Sequence, residues 1–270
     1  MDIDRLPLLL HPLDVASAFT PERLMEAVRR ERGLPPEVVP PLCVLDCDGD
    51  LSDGLAADGR STPVESWACF HTSMRAVTLD GLPCGIVPRT IGGPYAVLVA
   101  EQLWAAGANV IVGLTSAGRV SPTLPLPSIV VVDEAVRDEG TSLHYVTPSE
   151  TIVTPTPGLA DLLARELSTV GSHVERGTVW TTDAPYRETP DQLRTWADRG
   201  VLAVEMQAAA LFAFARARSA TVAIVALVSN GVGQSDGQFD TGGHQFRTAV
   251  LAAVGRASRL FIESARRDTR

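Results

Sequence analysis

Short apolar runs separated by helical stretches dominate this sequence, and that alternation restricts its fold more than any other feature. The runs at residues 42–45, 85–87, 109–114, 129–132, 178–181, 202–204 and 222–228 each read as a buried strand. Between them, residues 95–106 read as a helix ended by Gly107, and residues 158–170 as another ended by Gly171. Thr189 and Pro190 open a third helix, which Gly200 closes. Residues 206–217 are apolar nearly all round, which suits a helix inside the core, whereas residues 245–267 are amphipathic and suit a helix on the surface. The pattern predicts an α/β chain: a three-layer single domain with a mixed, mostly parallel central sheet and helices on both faces. Ligands of such sheets sit at the carboxyl ends of strands, so the loops that follow strands are the places to search.

Composition supports one domain and narrows the chemistry. At 270 residues and 45% apolar content the chain can bury one full core. Residues 1–38 read as an extension carrying a short helix that Thr20 and Pro21 open and that Gly33, Pro35 and Pro36 end; the main domain covers 39–270. The net charge of -9, without a basic stripe, gives nucleic acid no electrostatic hold. All 23 basic side chains are arginine, which removes Schiff-base chemistry and the phosphate-loop lysine together. Cys43, Cys47, Cys69 and Cys84 lack the spacing of zinc or thioredoxin-like sites and read as reduced thiols. The start of the sequence lacks a basic region followed by an apolar run, and residues 220–228, the longest apolar stretch, are too short to span a bilayer. The expectation is a cytoplasmic protein with no membrane partner, no metal and no cofactor.

Three motifs fail on inspection. Asp46, Asp48, Asp50 and Asp53 resemble a calcium loop, but Leu51 stands where the loop needs glycine and Ala57 where it needs a bidentate glutamate, so the segment reads as an acidic surface turn. The run GVGQSDG at 231–237 has the wrong glycine spacing for a dinucleotide fingerprint. Ser116 in GLTSAG lacks the setting of a nucleophile elbow.

Three strand-end segments remain. TIGGP at 90–94 leads into a helix, TSAGRVSPTLPLPSIVVVDEA covers 115–135, and TTDAPYRET at 181–189 is followed by GVLAVEMQAAALFAFA at 200–215. Over about residues 40–265 they resemble, in order, the segments of the nucleoside phosphorylase superfamily, of the uridine phosphorylase and methylthioadenosine nucleosidase kind. The resemblance implies cleavage of the N-glycosidic bond of a nucleoside, with phosphate as co-substrate. It also implies a homo-oligomer whose neighbouring subunits complete each site, a part open to His11 or His71. Such a reaction needs a nucleophile site below the sugar, acceptors for the sugar hydroxyls and a donor for the departing base. The amides of Gly92, Gly93 and Gly118 and the hydroxyl of Ser116, beside Thr115, can supply anion-binding donors. A carboxylate at Glu205, just before an apolar helix, needs a buried partner or a ligand; the resemblance sets Glu205, Met206 and Gln207 against the ribose. Tyr186 and Arg187 are expected to face the base, with Thr182 and Asp183 holding their loop. Asn230 occupies the place where purine-specific relatives carry an aspartate; it can donate a hydrogen bond to a leaving base but cannot protonate it, which favours pyrimidine-type nucleosides.

The sequence also departs from the family. DCDGDL at 46–51 replaces a Gly-Asp-Pro-x-Arg turn and ends in Leu51, and ungapped matching puts two further family arginines on Phe70 and Gly113. An acidic loop repels a bound dianion by about 4 kcal/mol per unit charge pair at 4 Å and an effective dielectric of 20. Arg75, Arg89, Arg119 and Arg187 are the candidate replacements. Gln207 stands where the family has a glutamate for the sugar diol. Phosphorolysis is the first reading; a nucleosidase using Asp46 or Asp48 to activate water is the second, and a non-catalytic nucleoside binder the third.

Overall fold

The computed structural model describes residues 6–35, 39–232 and 243–268. In chain order the elements are α1 (Pro21–Arg32), β1 (Leu42–Asp46), α2 (Asp50–Ala57), β2 (Thr62–Pro63), β3 (Arg75–Leu79), β4 (Leu82–Pro88), α3 (Gly93–Ala105), β5 (Val110–Arg119) and β6 (Ser128–Asp138). They continue with β7 (Thr151–Val153), α4 (Pro157–Leu167), β8 (His173–Thr182), α5 (Pro190–Asp198), β9 (Ala203–Glu205), α6 (Ala208–Arg218), β10 (Val222–Gly231) and α7 (His244–Asp268). Pro36, Val38 and residues 233–237 of the GVGQSDG run lie outside the described residues.

The sheet is mixed, as the alternation predicts. β4, β1, β5 and β10 run parallel side by side. β10 then pairs antiparallel with β6, which runs parallel to β8; β8 runs parallel to β9, and β9 returns antiparallel to β5. These last five strands close on themselves, so one half of the sheet curls into a small barrel and β5 belongs to both halves. β5 is therefore flanked on both sides at its carboxyl end.

Period-two sidedness along the strands sorts the helices. On β10, Val222, Ile224, Ala226 and Val228 face a core shared with α1, α3 and α6, while Ala223, Val225 and Leu227 face α2, α4 and α7. α6 is buried from Ala208 through Ala215, which matches its lack of a polar face. α7 buries a single stripe that includes Val250, Leu251 and Val254. α5 opens with a capping box between Thr189 and Gln192, and α1 puts Met25 and Val28 into the main core.

The acidic segment is not a surface turn. Residues 50–57 form α2, which buries Leu51 and Leu55 one turn apart, and Asp46 is fully buried. The Asp46 carboxylate accepts from the amides of Gly49 at 3.2 Å and Ser52 at 2.8 Å. It thereby satisfies donors at the start of α2, where Asp50 and Asp53 also meet the positive end of the helix dipole. Burial is the largest influence on the Asp46 carboxyl and raises its pKa, against the lowering effect of these amides and of Arg247.

The four cysteines are buried and unpaired, and burial pushes the Cys43 thiol up to about 12. Among the described residues no helix is long and apolar enough to cross a membrane, and no cluster of side chains has the makings of a metal site.

Candidate active site

The carboxyl-terminal half of β5 is where two of the three sequence segments meet, together with the end of β10. Gly118 pairs with Val204 of β9 on one side and with Asn230 of β10 on the other. A side chain at Gly118 would meet Val232 Cγ2 at 2.4 Å, so glycine lets the last strand approach. Because β9 runs opposite to β5, the chain leaving β9 turns back along β5, and Gln207 Nε2 donates to Thr115 Oγ1 at 3.4 Å. Thr115, Ser116, Gly118, Glu205, Gln207 and Asn230 thus occupy one region, although they come from three distant parts of the sequence.

Glu205 serves as the cap of α6. Its Oε2 accepts from the amides of Gln207 at 2.7 Å and Ala208 at 2.9 Å, and its Oε1 accepts from Thr181 Oγ1 at 2.5 Å. Thr181 Oγ1 in turn accepts from the Ala209 amide. These donors favour the carboxylate, but complete burial outweighs them and pushes the carboxyl up to about 7. Both oxygens are therefore engaged within the protein. Gln207 is equally buried; its Oε1 accepts from the Met206 amide at 2.9 Å, which leaves half-buried Met206 at the turn between β9 and α6.

The glycine-rich turn packs against the same helix. Gly92 has φ +88° and ψ 140° at the N-cap of α3, a conformation open to glycine, and a Cβ on Gly93 would lie 3.0 Å from Ala210 Cβ and 3.3 Å from Thr141 Oγ1. The loop after β8 is anchored as its sequence suggests: Asp183 Oδ2 accepts from the Gly140 amide at 2.9 Å, and Thr182 Oγ1 from that of Ala184 at 3.2 Å. Tyr186 and Arg187 sit on a 3-10 turn at its tip, the tyrosine fully exposed, and no side-chain hydrogen bond among the described residues ties either to the β5 region. His71 is exposed, and its carbonyl accepts from the Tyr95 hydroxyl, while His11 packs on His144 with ring centroids 4.0 Å apart.

The arginines sort differently from the sequence reading. Arg89 is exposed and pairs with Asp53, Arg119 donates to the Leu124 carbonyl at 3.4 Å, and Arg187 is exposed. Arg75, not Phe70, lies on the strand before the Asp80 turn, where it donates to Ser61 Oγ and to the Ser61 carbonyl. Gly113 lies in mid-strand inside the core, facing Ile224 and Leu211.

The arginine that does reach the site is Arg247, from the first turns of α7. Its side chain is 1% exposed, and Nη2 donates to Asp48 Oδ2 at 3.3 Å and to Ser116 Oγ at 3.2 Å. Asp48 Oδ2 also accepts from the Ser116 amide at 3.2 Å and hydroxyl at 2.6 Å. A sequence signal for Arg247 exists. With Val250, Leu251 and Val254 it has the spacing i, i+3, i+4, i+7, which puts a charged group on the buried stripe of an amphipathic helix.

Comparison with known proteins adds a family match over most of the chain: the phosphorylase superfamily profile fits residues 47–265. A guanosine phosphorylase of Halorubrum lacusprofundi is 31% identical over 138 residues, 51% of this chain and 56% of that protein. A uridine phosphorylase of Thermococcus kodakarensis is 30% identical over 124 residues, 43% of each chain. The matches thus span about half the length of these two relatives. A uridine phosphorylase of Treponema pallidum is 26% identical over 202 residues, 70% of this chain and 78% of that protein.

Proposed function

The chain belongs to the phosphorylase superfamily, and from that premise we propose that it is a nucleoside phosphorylase, transferring the pentosyl group of a nucleoside to inorganic phosphate. In this reaction a phosphate oxygen bonds to C1′ of the sugar, the bond from C1′ to the base nitrogen breaks, and its electron pair leaves with the base. The observation that carries the reading is the convergence on the carboxyl end of β5 of Ser116 with a buried arginine, of Gln207 from the β9 side and of Asn230 from the β10 side. Hydroxyl and amide donors at Ser116 suit the nucleophile, the Gln207 region suits the sugar, and the Asn230 amide suits the departing base. Names among the relatives support the substrate class, since they include both guanosine and uridine phosphorylases.

Water as acceptor is the second reading, and one observation favours it: the carboxylate of Asp48 already lies against Ser116. Product analysis of a nucleoside panel with and without phosphate decides between them. Pentose 1-phosphate formed only when phosphate is present supports phosphorolysis; free pentose at the same rate in both conditions supports hydrolysis. Bound nucleoside with no turnover in either condition rejects both.

Base preference follows from Asn230. With a hydrogen-bond donor that cannot transfer a proton, pyrimidine-type nucleosides are the expected substrates. Asn230→Asp is expected to raise purine nucleoside cleavage about tenfold, which corresponds to only about 1.4 kcal/mol of barrier. If the unaltered protein cleaves purine nucleosides as well as pyrimidine ones, this assignment fails. For the exposed loop, Arg187→Ala is expected to weaken nucleoside affinity by about fivefold, or about 1 kcal/mol. Unchanged affinity in calorimetry would mean that Tyr186 and Arg187 form only a solvated tip. Exposed Phe70, Ile91 and Leu98, near the start of α3, support a homo-oligomer, and solution scattering at micromolar concentration tests it.

A further inference from the structure

The phosphorolysis reading needs a cation for the attacking anion, but Leu51 and Gly113 stand where matching sets two family arginines, and Arg75, on the strand before the Asp80 turn, is engaged by Ser61. Resting on that reading, we propose that Arg247 of the C-terminal helix is the guanidinium of the oxyanion pocket, and that Asp48 is a built-in competitor occupying the oxyanion's place.

Three donors converge on one oxygen of Asp48: the Ser116 amide at 3.2 Å, the Ser116 hydroxyl at 2.6 Å and Arg247 Nη2 at 3.3 Å. A backbone amide, a hydroxyl and a guanidinium directed at one point form a cradle for an oxyanion. A side-chain carboxylate fills it. The guanidinium is also under-used. Its Nε and Nη1 have no hydrogen-bond partner among the described residues, although the side chain is 1% exposed. Buried N–H groups of a cation without acceptors are costly, and an arginine presents them along flat edges that match two oxygens of a tetrahedral anion. Asp48 supplies a single oxygen at the long end of the hydrogen-bonding range and Asp50 Oδ2 stands off at 3.7 Å from the same Nη2, so the fit of carboxylates to Arg247 is incomplete.

The same geometry makes Asp48 displaceable. The start of α2 is held by Asp46, which accepts from Gly49 and Ser52, so the helix cap does not depend on Asp48. Asp48 side-chain exposure is 17%, and the next residue, Gly49, turns the chain at φ +91°. A rotation about the Asp48 side-chain bonds toward solvent would vacate the cradle with the backbone in place. Phosphate binding then competes with an internal anion, and its apparent affinity falls by the fraction of molecules in which Asp48 has moved away. Asp48 Oδ2 would moreover repel the incoming dianion until it does so.

Calorimetric titration of the full chain with inorganic phosphate, in the absence of nucleoside, tests this directly. Asp48→Asn keeps the shape and removes the charge, and it is expected to tighten phosphate binding at least tenfold. Arg247→Met, confirmed as folded by circular dichroism, is expected to lose phosphate binding, and to do so equally in the Asp48→Asn background. Phosphate affinity unchanged or weakened in Asp48→Asn overturns the competitor role; wild-type affinity in folded Arg247→Met overturns the cation role. Should Arg247→Met fail to fold, Asp48→Asn still decides the matter, because no other part of the proposal predicts tighter binding on loss of a carboxylate. The readout requires no turnover. A protein that binds phosphate as described but cleaves no nucleoside contradicts only the proposed function, whereas a protein that cleaves with phosphate but shows no Asp48 effect contradicts only this inference.

Discussion

Gly113→Arg, which puts back the arginine that ungapped matching assigns to this position, is expected to abolish the soluble folded protein. Gly113 pairs with Leu45 of β1 and Ile224 of β10 in the middle of the parallel strands. Even a methyl group there would lie 2.7 Å from Ile224 Cδ1 and 3.5 Å from Leu211 Cδ1. Gly113→Ala therefore forces the end of one flexible side chain to move, at about 1–3 kcal/mol for overpacking. An arginine adds a long side chain and a charged guanidinium to filled space bounded by Ile224 and Leu211. Leaving a buried charge uncompensated costs about 3–5 kcal/mol beyond the packing penalty, which together approaches the whole stability of a typical domain, about 5–15 kcal/mol. Expression, solubility and thermal melting of the two variants measure the difference. A folded Gly113→Arg protein that bound phosphate more tightly would show that this strand position opens to the site.

Glu205 yields the second large effect, and its sign is determined by burial. The carboxyl moves from an unfolded value of 4.5 to about 7 in the folded protein. Between those values the native state binds more protons than the unfolded one, so stability falls as pH rises. The contribution is complete below about pH 4.5 and is lost as pH rises through 7, a change of roughly 3 kcal/mol at 1.36 kcal/mol per unit. Glu205→Gln is nearly isosteric; its oxygen can accept from the amides of Gln207 and Ala208 while its nitrogen donates to Thr181 Oγ1. Urea melts at pH 5 and pH 8 should show a smaller loss for Glu205→Gln than for the unaltered protein. Asp46, whose carboxyl burial also raises, stays in both proteins and cancels in the comparison, while the charge of Glu139 is one of the influences that raise Glu205 and so belongs to the effect measured. Glu205→Ala removes the α6 cap and strands Thr181 Oγ1 and two amides, and it is expected to cost at least 2–3 kcal/mol at pH 5. Equal pH slopes for the unaltered protein and Glu205→Gln would show that Glu205 does not titrate between those pH values.

Much of this architecture could be read before any coordinates. Strands such as β1 and β10 announce themselves as apolar runs because both faces are covered. α5 carries Thr189, Pro190 and Gln192 within four consecutive residues, so its start is a local event. α6 has no polar face, which leaves the core as its only place. The segment that misled was residues 46–53, where four aspartates hide a short helix whose apolar stripe consists of Leu51 and Leu55 alone. Its start depends on Asp46 being buried, and a burial of that kind comes from packing across β1 rather than from local spacing.

What the sequence determined by itself was the order of the main strands and helices, the family and the segments around Thr115 and Glu205 that meet at β5, because strand burial, helix capping and turn glycines act over a few residues. Only the tertiary structure decided what each charge does. Asp48 and Arg247 are 199 positions apart, and Glu205 finds Thr181 across 24. Ion pairing and buried carboxyls depend on distance in space and on exclusion of water, and both are properties of the packed core.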